Sequence, residues 1–315
     1  MAGLSTSLYV RTEAPGLAVR PTDSTKSDTY SAEANGHTMC TYGSDDGASA
    51  AARGCVAAAL RVRACTLLLA LPLLAACAAP TGGAQRARCL DATVPSGTRV
   101  LVFSRTEGYR HESIEAGVSA VRGLGERYGF TIDHREETGA FQTDSLSRYS
   151  AVVFLNTTGD VLDDAEQTAL ESYIRGGGGF AGVHSATDTE YDWPWYGQLV
   201  GAYFRSHPRI QQATVNVATA DHLSTRCLPR SWVRTDEWYN FRALPAATVT
   251  ILATLDERTY EGGAMGTSHP IAWHHHFDGG RAWYTGMGHT TTSYADTLFL
   301  QHLAGGILWA ASVER

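Results

Sequence analysis

Short apolar runs alternate with longer amphipathic segments between residues 99 and 183. In the longer segments, apolar residues recur every three or four positions, as on one face of a helix. This alternation predicts βαβ units and a parallel sheet. The predicted strands are Arg99–Ser104, Phe130–His134, Ala151–Leu155 and Phe180–Val183, and the predicted helices are Ser113–Tyr128 and Asp163–Arg175.

Both predicted helices carry boundary signals. Ser113 is placed to cap the first helix and Gly129 to end it. Asp163 and Glu166 form the pattern of a capping box at the second, and a glycine run at 176–179 ends it.

The second half of the chain has a different pattern, with several strands and few helices between them. The predicted strands are Ala213–Ala218, Thr248–Thr254, Pro270–His274 and Arg281–Thr285, followed by a final amphipathic helix at Thr297–Ala311. Residues 99–315 are long enough for one sizeable α/β domain with a mostly parallel sheet.

The first 98 residues predict export rather than a folded core. Residues 1–55 are polar or small and lack an apolar period, which indicates a disordered segment or an extension before the true start. An apolar run at 64–76, preceded by arginines, suits a signal peptide at 56–77 and is too short to span a bilayer. A linker at 78–98 follows.

The apolar run ends in a sequence that resembles the lipobox of bacterial lipoproteins. Leu74–Cys77 predicts a lipid on Cys77, and so a membrane-anchored protein facing the periplasm or the cell exterior. The alternative is a buried helix with an unmodified cysteine. A signal this far from Met1 suggests initiation near Val56 or Val62, a hypothesis that peptide mapping of the precursor would test.

The cysteines bear on a possible disulfide, and the charge bears on the kind of partner. Cys89 and Cys227 remain after the predicted signal, either as one disulfide or as two free thiols. The net charge of −7 and the pI near 5.9 argue against a nucleic-acid partner.

The glycine-rich segment at 176–186 has the pattern of a strand followed by a sharp turn. Hydrolases place a nucleophile at such a turn, but here the position holds His184. His111 and His289 also follow predicted strands, and strand ends converge at one edge of a parallel sheet. Three histidines there favour acid–base chemistry or a divalent metal such as zinc. The alternative is a set of surface histidines in loops.

Other residues are candidates for catalysis or substrate binding. Glu237 is the candidate carboxylate, with aromatic neighbours that we expect to raise its pKa, unless it lies in a surface turn. His274–His276 is not favoured as a metal site, because neighbouring strand residues face opposite ways. The aromatic residues suit either a sugar-binding surface or a core. The candidate substrate-binding residues are Tyr109, Arg110, Thr157, Asp160, Trp193, Trp195, Trp238 and His269.

Eight short motifs stand out along the chain, namely Gly108–His111, Asn156–Asp160, Gly177–Ala186, Thr189–Tyr196, Phe204–Pro208, Asp236–Phe241, His269–Trp273 and Tyr284–His289. Together they resemble the ThuA-like (trehalose-utilisation) family. The resemblance implies a flavodoxin-like fold of the class I glutamine-amidotransferase type, with helices on both faces of the sheet. It excludes glutaminase activity, because His184 replaces the amidotransferase cysteine and Ser185 is displaced by one residue.

The resemblance also implies a carbohydrate substrate, because family members are linked to disaccharide and glycoside use. We therefore predict an enzyme acting on a glycoside or keto-glycoside, with His184, His111, Glu237 and His289 as catalytic residues. The rival hypothesis is a surface lipoprotein that binds glycosides without transforming them. A peptide or ester hydrolase is disfavoured, because no convincing Ser/His/Asp set is present.

Overall fold

The computed structural model describes Leu90 and residues 92–313. The predicted extension, signal peptide, lipidation at Cys77 and most of the linker lie outside the described residues, as does Cys89. Cys227 is buried, and its pairing with Cys89 stays a prediction. None of the helices among the described residues is both long enough and apolar enough to cross a membrane.

The predicted helices and strands of the parallel half are present with small shifts at their ends. The helices are α1 Ile114–Tyr128, α2 Thr143–Leu146, α3 Asp164–Arg175, α4 Pro194–Val200 and α5 Thr297–Ala310. The strands are β1 Arg99–Phe103, β2 Thr131–Arg135, β3 Ala151–Leu155, β4 Gly179–Val183, β5 Phe204–Ser206, β6 Gln211–Val217, β7 Ser231–Asp236, β8 Asn240–Phe241, β9 Thr250–Asp256, β10 His269–Phe277 and β11 Gly280–Thr285.

A nine-stranded sheet organises the described residues. Strands β2, β1, β3, β4 and β11 lie side by side in this order and pair in parallel. Strands β10, β9, β6 and β7 extend the sheet from β11 with antiparallel pairing. The carboxyl ends of β1, β4 and β11 therefore lie at one edge, and the loops that follow them lie together.

Helices cover both faces of the sheet. Trp283 and Tyr284 are neighbours on β11, so their side chains point to opposite faces. On one face, Trp283 packs against Gly306 of α5. On the other, Tyr284 stacks on Trp273, whose indole donates to the Val200 carbonyl oxygen of α4 at 2.9 Å. The predicted α/β fold is confirmed.

The predicted N-terminal boundaries of α1 and α3 are both present, but only α3 has a side-chain cap. The capping box is present, since Asp163 accepts from backbone N–H groups of α3 and Glu166 accepts from the N–H of Asp163. Ser113 is the N-cap residue of α1, as predicted, although its side chain makes no capping hydrogen bond. Its hydroxyl is buried and accepts a hydrogen bond from the Asn156 amide at 2.9 Å. The Gly288 carbonyl oxygen lies 3.3 Å from the same hydroxyl.

The close packing of α5 on β11 requires glycine at position 306. A Cβ at this position would overlap the indole of Trp283, which is fully buried and has no room to move. We expect Gly306→Ala to lower the free energy of unfolding by about 1–3 kcal/mol, as overpacking does. Gly123→Ala in α1 is the matched control, because nothing lies within 4 Å of its Cβ. Helix propensity should make this control more stable by roughly 0.5–1 kcal/mol. Urea unfolding measures both, and equal stabilities would contradict the packing described.

Candidate functional site

A cavity of about 330 Å³ lies at the carboxyl edge of the parallel strands. This volume is at the small end of the range for ligand pockets. Loops after β1 and β11 contribute to its walls, together with the segment that joins β7 to β8. Its lining residues are Tyr109, His111, Asp188, Phe204, His207, Glu237, Tyr239 and His289.

His184 begins the turn that follows β4 and is fully buried beneath this cavity. Its φ of 50° is in the left-handed region, which is unusual for a residue other than glycine and fits the sharp turn that the sequence predicts. The Nδ1 atom lies 2.9 Å from the carbonyl oxygen of Gly286. Because a carbonyl only accepts, Nδ1 carries a proton, and Nε2 is the ring nitrogen that faces His289 and Glu237.

The imidazoles of His111, His184 and His289 form a nearly equilateral triangle. Their ring centroids are 4.9–5.0 Å apart, and each pair of rings is close to perpendicular. Nε2 of His184 lies 3.1 Å from Nδ1 of His289. The three strand ends that the sequence predicts to meet therefore do bring these side chains together.

Glu237 joins the three histidines from the far edge of the sheet, just after β7. Its Oε2 atom lies 3.1 Å from Nδ1 of His289 and 3.5 Å from Nε2 of His184. The expectation of a raised pKa is wrong. Burial does favour the neutral carboxyl, but hydrogen bonds from His184 and His289 outweigh it and lower the pKa of Glu237. The carboxylate is therefore ionised at neutral pH.

His111 is neutral in this environment. Burial is the main cause, and the nearby His184 and His289 rings add to it, so that the pKa of His111 falls to about 2. Its Nδ1 atom lies 3.4 Å from the hydroxyl of Ser185. A neutral imidazole is the form that binds a metal ion.

The four side chains have the chemistry and spacing of a metal site. One donor atom from each of His111, His184, Glu237 and His289 lies within 4.8 Å of the other three. Bonds of about 2.0–2.1 Å to a tetrahedral zinc ion would separate the donors by about 3.3–3.4 Å. Among His184, Glu237 and His289 the donor separations of 3.1, 3.1 and 3.5 Å are close to this value, and the donor of His111 lies within 4.8 Å of each of them. The three imidazoles, with the carboxylate beside them, have the chemistry of a zinc site.

Sequence reasoning missed several residues of the cavity, above all His207. This histidine follows β5, and its Nδ1 atom lies 3.0 Å from Oε1 of Glu237. Its side chain is 42% exposed, so it links Glu237 to solvent. Phe204 and Tyr239 pack beside it at 4.2 Å between their ring centroids. The only sequence signal is that His207 lies within one of the family motifs quoted above, Phe204–Pro208.

The structure places three predicted substrate-binding residues in the core. His269 is fully buried, with Nε2 donating to the Tyr239 carbonyl oxygen at 2.8 Å. Trp238 is fully buried and donates to the Gln211 carbonyl oxygen. Thr157 is fully buried, and its hydroxyl is bonded to another threonine hydroxyl. None of these three side chains lines the cavity, and their role in substrate binding stays a prediction.

Four further candidates lie outside the cavity lining. Trp193 and Trp195 stack on each other at 5.1 Å, and their indole N–H groups donate to carboxylates of neighbouring elements. Arg110 is exposed and paired with acidic side chains, and Asp160 is exposed. Tyr109 does line the cavity and is 63% exposed at its rim.

The histidine triplet on β10 belongs to the packing of the sheet. His274 stacks on His222 at 4.4 Å and lies against Trp309 of α5. His275 faces the other way, with Nε2 donating to the Leu199 carbonyl oxygen at 2.9 Å. Burial lowers the pKa of His274 to about 4.

A family model described as ThuA, trehalose utilisation, matches residues 99–310. The chain belongs to the ThuA family. A ThuA-like protein from Bacteroides uniformis has a similar structure, with a TM-score of 0.59 and 22% identity over 68% of this chain and 91% of that one. A ThuA-like protein from Parabacteroides merdae is also similar, with a TM-score of 0.59 and 21% identity over 70% of this chain and 92% of that one. No functionally curated protein matches this sequence.

These ThuA-like structures share the fold of this chain at low identity. The cluster of His111, His184, Glu237 and His289 therefore has to be interpreted from its own geometry. In that geometry, a ThuA-family sheet presents one compact set of histidine and glutamate side chains that could hold a metal ion, beside the partly exposed His207.

Proposed function

We propose that this protein is an exported, lipid-anchored ThuA-family enzyme that acts on a carbohydrate, with a keto-glycoside as the favoured substrate. The observation that carries the proposal is the convergence of His111, His184, Glu237 and His289 on one point in a small cavity. Export and lipidation at Cys77 are supported by the apolar run and the lipobox-like sequence alone.

His111, His184 and His289 would hold the metal ion, and the carboxylate of Glu237 beside them would stay free to act as the base. When bound, a zinc ion supplies a Lewis acid that polarises a substrate carbonyl. His184 is arranged for this role, because the proton on Nδ1 is fixed by Gly286 and Nε2 faces the other side chains of the cluster. A hydrogen-bonded second nitrogen is typical of histidines that bind metals.

Proton transfer at the carbon beside the carbonyl is the proposed reaction. A keto-glycoside has an acidic C–H next to its carbonyl group, and a base that takes this proton allows the C–O bond one carbon further on to break. Glu237 is ionised and lies at the cavity, so it can accept the proton. His207 bonds the other carboxylate oxygen and reaches solvent, so it can return a proton to the leaving oxygen.

Aromatic side chains suit the binding of one sugar ring. Tyr109, Phe204 and Tyr239 line the cavity, and the C–H faces of a sugar pack against such rings. Tyr109 lies at the exposed rim, where it can contact the group attached to the sugar. These rings would serve equally in a protein that binds a glycoside without transforming it.

Metal content and turnover test the proposal together. We expect the purified protein to contain about one zinc ion per chain and to release the leaving group from a keto-disaccharide. A chelator should abolish turnover, and added zinc should restore it. Elemental mass spectrometry and product chromatography measure the two results. A protein that binds the sugar in calorimetry but forms no product would instead be the non-catalytic glycoside-binding lipoprotein.

A further inference from the structure

Asp236, at the end of β7, accepts hydrogen bonds from two distant parts of the site. Its carboxylate is fully buried. It accepts from the backbone N–H of Gly288 at 2.9 Å and from that of His289 at 3.1 Å. It also accepts from the backbone N–H of Glu237 at 3.1 Å. One side chain therefore fixes the backbone beside both Glu237 and His289.

This contact is unexpected from the order of the strands. Three strands, β10, β9 and β6, separate β7 from β11 in the sheet. At about 4.8 Å per strand, a flat sheet would place β7 roughly 19 Å from β11. The hydrogen bonds from Asp236 to the loop after β11 show that the antiparallel half curls back over α5 toward the parallel half. Without this curvature, Glu237 would lie far from the histidines.

A buried arginine and a serine complete the arrangement. Arg234, also on β7, donates to Oδ2 of Asp236 at 2.9 Å. Its guanidinium lies over the rings of Trp232 at 4.7 Å and Phe299 of α5 at 4.8 Å. The hydroxyl of Ser293 donates to Oδ2 of Asp236 at 3.0 Å. Asp236 is thus paired with a cation and held against α5.

We propose that Asp236 is the positioning residue of the cluster, holding the carboxylate of Glu237 against the imidazole of His289. This inference rests on the proposed function, since the position of Glu237 matters to catalysis only if the cluster performs it. Asp236 does not line the cavity. It acts through the backbone on either side of the 3.1 Å contact between Glu237 and His289. Partners of this kind change metal affinity by about 10–100-fold when they are removed.

Asp236→Asn tests this role, with Asp296→Asn as the matched control. Asp296 lies 3.7 Å from the same arginine and caps α5, and its carboxylate accepts from the N–H of Leu298 rather than from those of Gly288 and His289. Both variants lose a carboxylate near Arg234, but only Asp236→Asn changes the carboxylate that accepts from Gly288 and His289. Hydrogen exchange at the amides of Gly288 and His289 and zinc affinity by chelator competition are the measurements.

In Asp236→Asn we expect exchange at these two amides to rise at least tenfold and zinc affinity to fall about 10–100-fold. The control should keep both near the wild-type values. Should Asp236→Asn not fold, Ser293→Ala removes a single donor and should shift both measurements in the same direction by less.

Unchanged exchange in a folded Asp236→Asn, or unchanged zinc affinity despite faster exchange, would overturn the proposal. An equal loss of affinity in Asp296→Asn would also overturn it, because stability alone would then explain the effect. Wild-type protein without zinc or turnover would reject the proposed function instead, and the exchange data would still decide whether Asp236 holds the loop.

Discussion

Replacing His184 with asparagine is expected to reduce turnover of a keto-disaccharide by about 10²–10⁴-fold and to remove bound zinc. His184 supplies the Nε2 atom that faces His289 and Glu237, and asparagine has no ring nitrogen at this place. Asparagine is chosen because it tolerates the φ of 50° at this position better than most residues. The fold should therefore persist. Steady-state kinetics and elemental mass spectrometry measure the two losses.

His302→Asn is the matched control for this experiment. His302 is also fully buried, and its Nδ1 atom likewise bonds a backbone carbonyl oxygen, that of Ser224, at 2.9 Å. It lies on α5, away from the cavity. Both variants should lose stability in thermal unfolding, whereas only His184→Asn should lose zinc and turnover. Equal activities in the two variants would reject the role of His184.

Glu237→Gln is expected to lower kcat by about 10²–10³-fold while the shape of the side chain is kept. The substitution removes the ionised carboxylate that contacts His289, His184 and His207. Because the folded state lowers the pKa of Glu237, its charged form stabilises the fold above the ordinary pKa, and this contribution is lost as the pH falls through the folded value. The variant should thus be less stable at pH 7 and should lose less stability in acid than the wild type. Kinetics and urea unfolding at several pH values measure these effects.

A second, partly buried Glu–His pair provides the comparison for Glu237. Glu257 lies 2.8 Å from Nδ1 of His269, in a Glu–His pair that does not line the cavity. Glu257→Gln should disturb a pair of the same chemistry and leave turnover near the wild-type rate. Similar losses of kcat in both variants would indicate a general loss of structure rather than a role in the reaction.

Local patterns predict the parallel half well, because their causes are local. The apolar run Ala151–Leu155 is buried along its whole length as β3, and α3 begins at the capping box of Asp163. The helix α4 and the edge strand β7 were missed. Proline at position 194 obscures a seven-residue helix, and β7 alternates buried residues such as Arg234 with exposed ones. A buried arginine does not have the pattern of a core position.

The sequence predicts those residues of the site that directly follow the strands of the parallel sheet. His111, His184 and His289 follow parallel strands, so the order of elements places them at one edge. The aromatic residues are less informative, because a tryptophan has the same sequence pattern in a core as at a binding surface. Trp238 is buried behind the site, whereas Tyr109 lines its rim.

The sequence alone determined the α/β fold, the family and the set of histidines, since these depend on periodicity, spacing and motifs within short segments. Only the tertiary structure decided that Glu237 has a lowered pKa, that His207 bonds it and that Asp236 holds it in place. Those features require β7 to meet the loop after β11. The hydrogen bond from Gly288 to Asp236 makes this contact between residues 52 positions apart in the chain. Contacts between residues this far apart in the chain depend on the course of the whole sheet, and no local pattern encodes them.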